Sequence, residues 1–146
     1  MANHLHLVCE AADRPALARG LQGLFIRMAK ALNRTLGRSG RVFADRYRDR
    51  VLRTPAQVRN ALAYVLNNAR RHAAERGRRL PPGWLDPCSS AADFSGWASR
   101  IRAFVRLDDE PPLPRARTWL ARSGWRRAGT IRIDEVPGRG HAGRPT

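Results

Sequence analysis

The sequence is short of acid, of lysine, of cysteine and of long apolar runs, and each shortage excludes something. Asp and Glu number 12 against 28 Lys and Arg, which leaves a net charge of +16. A chain this basic points to a polyanionic partner rather than a cationic one. All but one of the 28 are Arg. Arginine suits bidentate contacts to phosphates and base edges, although a GC-rich genome produces the same bias. The two cysteines, Cys9 and Cys88, lie far apart and form no CxxC pair. That argues against a disulfide framework or a structural zinc site and makes the reducing cytoplasm the expected compartment. No run of 18 apolar residues exists, and no basic stretch followed by an apolar one opens the chain. Neither membrane insertion nor secretion is expected. At 146 residues the chain suits one domain with a real core.

What is present divides into recognisable elements. Residues 4–9, HLHLVC, alternate and predict a strand with His4, His6 and Val8 on one face and Leu5, Leu7 and Cys9 on the other. The next segment predicts a helix over 14–36, with Asp13 as N-cap, Pro15 in the first turn and Gly37 or Gly40 as its stop. Leu17, Leu21, Leu24, Phe25, Met28, Leu32 and Leu36 make one apolar stripe, expected to be core. Residues 41–54, RVFADRYRDRVLRT, predict one strand or a bent pair. A second helix is predicted over 55–76, capped by Thr54, opened by Pro55 and ended by Gly77. Ala61, Leu62, Val65, Leu66 and Ala69 form its expected buried face. A turn-rich stretch around Pro81, Pro82 and Gly83 follows, then a short helix in DFSGWASRIRAFV, a linker, and a last helix in TWLARSGWRR. Residues 136–146 are expected to be disordered. No internal repeat is visible.

The candidates for chemistry begin with His4 and His6. Residues i and i+2 of a strand share a face, so two imidazoles there can hold one divalent ion, provided a third ligand comes from elsewhere. Packing residues would show the same spacing. On the helix over 55–76, Asn60, Tyr64, Asn68 and Arg71 form one stripe. A tyrosine beside a bound metal can attack a phosphodiester and carry the broken strand covalently. An ordinary boundary tyrosine with a satisfied hydroxyl fits the same position. Tyr47, the other tyrosine, sits among arginines and is expected to face DNA or to pack. Arg46, Arg48, Arg50, Arg53, Arg70 and Arg71 are the candidate phosphate contacts, with a solvated basic face as the alternative for each. Residues 11–79 hold 17 of the basic side chains and 4 acidic ones, which concentrates the charge around these motifs.

Taken together, MANHLHLV resembles the His-hydrophobe-His (HUH) motif of single-tyrosine transposases. ALAYVLNNARRHA is similar to the helix that carries their nucleophile, a Tyr followed four positions later by Asn or Gln. GRVFADRYRDRVLRT and DPCSSAADFSGW resemble the segments between and after these motifs. The order and spacing agree over residues 1–97, and the REP-associated tyrosine transposase branch is the most similar. The resemblance implies an α+β fold, an antiparallel sheet with helices on one face (the ferredoxin-like HUH fold). It implies Tyr64 as the catalytic nucleophile and His4, His6 and Asn68 as ligands of Mg²⁺ or Mn²⁺. The implied partner is single-stranded or hairpin DNA, cut and rejoined through a phosphotyrosine by a monomer or homodimer.

Members of that branch carry several dozen residues ahead of the HUH motif, where this chain carries three, so the domain over 1–97 is expected to be incomplete at its N-terminus. Residues 98–135 are expected to form a C-terminal helical extension. Two further readings stay open. One is a truncated, catalytically inactive module that binds nucleic acid through its arginines. The other is a basic structural or ribosome-associated protein, which accounts for the charge but not for the histidine, tyrosine and asparagine set.

Overall fold

A computed structural model describes residues 5–44, 47–99 and 113–138. It separates into two compact units, one of residues 1–8 with 52–146 and one of residues 9–51.

The smaller unit is built on α1, Arg14–Thr35. Its ends are where local chemistry puts them. The Asp13 carboxylate accepts from the Ala16 N–H at 2.6 Å, and Pro15 occupies the first turn, where no amide donor is needed. At the other end Gly37 takes φ +59°, which lets Arg38 N–H reach Asn33 O at 2.9 Å and Gly37 N–H reach Arg34 O at 3.4 Å. This is the double closure that a left-handed residue permits. The apolar stripe is core only in part. Leu21 is buried and Leu17, Leu24, Phe25 and Met28 are half-buried, but Leu32 and Leu36 are exposed. Phe25 meets Phe43 at 4.9 Å between ring centroids.

The larger unit holds α2, Pro55–Leu66, and α3, Asn68–Glu75. Thr54 and Gln57 form a reciprocal capping box, with Gln57 N–H donating to Thr54 Oγ1 at 3.2 Å and Thr54 N–H to Gln57 Oε1 at 3.3 Å. The single helix predicted over 55–76 is thus two helices parted by Asn67, whose φ and ψ of −109° and 20° leave the helical range. Hydrogen bonds still run through the break, from Asn67 N–H to Ala63 O and from Arg71 N–H to Asn67 O. The Asn67 side chain is buried and donates to Arg132 O at 3.0 Å, a partner 65 residues away that no helical pattern reveals. Gly77, at φ +68°, closes α3 as Gly37 closes α1.

The core of this unit is Val58, Ala63, Trp125 and Ile131, with Leu52, Leu62, Phe94, Trp97 and Leu120 packed around it. Trp125 and Ile131 are fully buried, each contributing about 2–3 kcal/mol of transfer free energy. They come from the region expected as a C-terminal extension and cross the boundary drawn near residue 97. There Ala98 N–H donates to Ile131 O at 2.8 Å. The expected last helix is a short α4, Trp119–Arg122, followed after Ser123 by a 3₁₀ helix, Gly124–Ala128. A 3₁₀ turn, Ser90–Asp93, replaces the start of the helix expected near residue 93, and residues 94–99 are not helical.

There is no antiparallel sheet among the described residues. Among the described residues 46% are helical and 2% lie in strand pairing, a parallel bridge between Trp97 and Ile131. Residues 5–9, 41–44 and 47–53 are irregular. Alternation is a pattern that a strand shares with any extended segment, and an extended segment becomes a strand only when a neighbour takes its hydrogen bonds. No strand pairs with these segments among the described residues, and Leu5, Leu7, Val8 and Val51 are exposed. The α+β, ferredoxin-like expectation is therefore replaced by a mostly helical architecture.

Candidate active site

Tyr64 lies near the C-terminal end of α2, half-buried, one turn before Asn68 opens α3. The His6 ring meets it edge-on, with centroids 4.9 Å apart and planes at 88°. Edge-to-face contact sets the positive rim of one ring against the negative face of the other. On the same stripe the Arg71 guanidinium carbon lies 5.1 Å from the Tyr64 centroid, a cation–π contact of about 0.5–1 kcal/mol. His6, Tyr64 and Arg71 are thus gathered from two separate stretches of sequence.

Arg71 is held from behind. Its Nε donates to Glu75 Oε1 at 3.0 Å, while His72 Nδ1 lies 3.1 Å from Glu75 Oε2. Hydrogen bonds from Arg71 and then His72 hold the Glu75 carboxyl below its ordinary range. Sequence reasoning passed over Glu75, although its i+4 spacing from Arg71 and i+3 spacing from His72 signal such pairs.

Asn68 contributes a different observation. Its Oδ1 is buried and has no hydrogen-bond partner. A buried amide oxygen without a donor is costly, and such a group calls for a reason. A neutral amide oxygen is an ordinary donor to Mg²⁺ or Mn²⁺, so Asn68 fits the implied ion in kind, whereas an imidazole such as His6 suits softer divalent ions better than Mg²⁺. His4 lies outside the described residues. Among the described residues no three His, Cys, Asp or Glu side chains converge as a metal site.

The arginines divide sharply. Arg70, expected as a phosphate contact, is buried and committed to the protein itself. Its guanidinium donates to Leu80 O at 3.3 Å and to Pro81 O and Trp84 O at 2.9 Å, and it pairs with Asp134 at 2.9 Å. It is a clamp on the turn-rich stretch, and its burial, which leaves even its Nε without a partner, keeps it from phosphate. Arg59, which no motif marked, does similar work, gripping Glu135 in a fork at 2.5 and 2.6 Å and donating to Thr130 O at 2.8 Å. Arg53 is exposed beside the α2 cap, and Arg48 and Arg50 are exposed in the smaller unit, as is Tyr47. Arg46 lies outside the described residues. Cys9, also in the smaller unit, has its thiol pushed up by burial and lines an open apolar hollow with Leu17, Leu21 and Leu24.

No described helix is long and apolar enough to cross a membrane. Comparison with known protein families, with curated proteins and with solved structures gave no match.

Proposed function

We propose that this chain cuts and rejoins single-stranded DNA, folded as a hairpin, with Tyr64 as the nucleophile, in the manner of the REP-associated tyrosine transposases its motifs resemble. The observation that carries the reading is the His6 ring seated on Tyr64, which joins the two motifs across 58 residues of sequence. The Tyr64 hydroxyl attacks phosphorus, the bond to the 3′ oxygen breaks, and the tyrosine keeps the 5′ phosphate. The phenolic proton is released and the departing 3′ oxygen takes one up. Attack by another 3′ hydroxyl reverses the step and frees Tyr64. Arg71 places positive charge over the ring where the phosphate must approach. Mg²⁺ or Mn²⁺, held by His4, His6 and Asn68, would supply charge withdrawal from the phosphate oxygens.

The test is a denaturing gel of labelled hairpin DNA incubated with the protein and Mn²⁺. A covalent protein–DNA adduct that is lost with chelator supports the reading, and no adduct on any hairpin flanking its own gene contradicts it.

The second reading, a nucleic-acid-binding module without cleavage, is favoured by the missing sheet and by the lack of a convergent three-residue acidic, histidine or cysteine cluster among the described residues. It predicts salt-sensitive hairpin binding and no adduct. With about six phosphate contacts, affinity falls on the order of 10³-fold between about 50 and 200 mM salt.

A further inference from the structure

Of the four tryptophans, Trp125 is buried, Trp84 and Trp97 are half-buried, and Trp119 is 49% exposed. Trp119 is nevertheless held in place. Thr118 caps α4 by accepting from Ala121 N–H at 3.3 Å, and Ser123 N–H returns to Trp119 O at 2.9 Å. The ring rests on the backbone of Gly124, where an added Cβ would come within 2.6 Å of ring atoms. Only glycine allows that approach. The Arg127 guanidinium carbon lies 5.2 Å from the ring centroid. Residues 113–131 carry Arg115, Arg117, Arg122, Arg126 and Arg127 and not one Asp or Glu.

We propose that Trp119 and Arg127 form a stacking site for an unpaired nucleotide of single-stranded nucleic acid. The occupant follows from the combination. A fixed, exposed indole with a guanidinium over its ring makes a flat stack that any base can join, and the guanidinium can also take the adjoining phosphate. A base pair inside a duplex has both faces occupied by its neighbours, so the interior of a duplex cannot use the indole. An acidic peptide would use the arginines and leave the ring idle. The inference rests on the nucleic-acid reading above and extends it to a site on α4, well away in sequence from the motifs.

The experiment compares one hairpin with and without a single-stranded extension of about six nucleotides, using anisotropy with the full chain. The proposal expects the extension to tighten wild-type binding about fivefold or more. Trp119→Leu should lose that gain and keep its affinity for the blunt hairpin, while Trp119→Phe should retain most of it. Equal gains in wild type and Trp119→Leu, or no gain in wild type, overturn the proposal. Failure of wild type to bind either hairpin overturns the nucleic-acid reading itself. Should Trp119→Leu fail to fold by circular dichroism, tryptophan fluorescence decides. Oligothymidine must quench the wild type more than Trp119→Phe, and equal quenching of the two, or equal quenching of wild type by polyglutamate, refutes the site.

Discussion

The ring of His6 stands edge-on against the ring of Tyr64 at 4.9 Å, so the His-x-His segment and the α2 helix meet at the residue proposed as nucleophile. The proposed mechanism gives His6 and Asn68 distinguishable roles as metal ligands. His6→Ala should abolish covalent adduct formation, while Asn68→Ala should only reduce it, because water replaces one neutral ligand. Asn68→Ala also removes an unpartnered buried oxygen, so its thermal stability should stay within about 0.5 kcal/mol of wild type. Adduct yield against Mn²⁺ concentration, beside melting curves, checks both.

Arg70 should matter for folding and not for DNA. Arg70→Ala strands three backbone carbonyls that the guanidinium now serves, at a cost of about 2–4 kcal/mol. The Asp134 pairing adds little, since that carboxylate is half exposed. Arg70→Lys should not rescue, because one ammonium cannot span the same set. Urea titration measures the loss, and the salt slope of DNA binding by the folded fraction should be unchanged.

Much of this was readable locally. Asp13 and Gly37 bound α1, and Thr54, Pro55 and Gln57 start α2, because caps act through neighbours within a few residues. The rest was set by distant partners. The alternation in residues 4–9 and 41–54 promised strands, but pairing needs a second chain segment that no pattern supplies. Arg70 and Arg53 are the same letter, and only the carbonyls of residues 80, 81 and 84 make one a clamp while the other stays exposed. Asn67 breaks the helix that periodicity drew straight, since its anchor is the carbonyl of Arg132. Trp119 and Trp125 lie six residues apart in one stretch, and nothing in the spacing says which is core.

Gly96 marks a close approach inside that core. An added Cβ would lie 2.5 Å from Phe94 Cζ and 2.7 Å from Trp125 Cζ2. Both rings belong to the packed cluster and cannot swing clear. Gly96→Ala should cost about 1–3 kcal/mol, read as a lower melting temperature with the near-ultraviolet tryptophan signal weakened.

The Glu75 hub should respond to acid. A carboxylate held below its ordinary range stabilises the fold at pH above the unfolded value, about 4.3–4.5, and that stabilisation is lost as pH falls through the lower folded value. Wild type should therefore melt above Glu75→Gln near neutrality, and the gap should shrink as pH falls below the ordinary carboxylate range. Glu75 is exposed to solvent, so added salt should shrink the gap as well. A gap that widens as pH falls below the ordinary carboxylate range would reverse the assignment.

The most direct measurement of the central claim is the identity of the residue that carries the DNA. Adduct formed with labelled hairpin and Mn²⁺ is digested with nuclease and trypsin, and the nucleotide-bearing peptide is identified by mass spectrometry. Cleavage after Arg59 and Arg70 releases residues 60–70, in which Tyr64 is the only tyrosine, whereas Tyr47 leaves with Arg48. The account predicts the nucleotide on residues 60–70 and no adduct from Tyr64→Phe, whose fold and hairpin affinity should match wild type. A nucleotide on residues 47–48, or an undiminished adduct from the Phe variant, would contradict it.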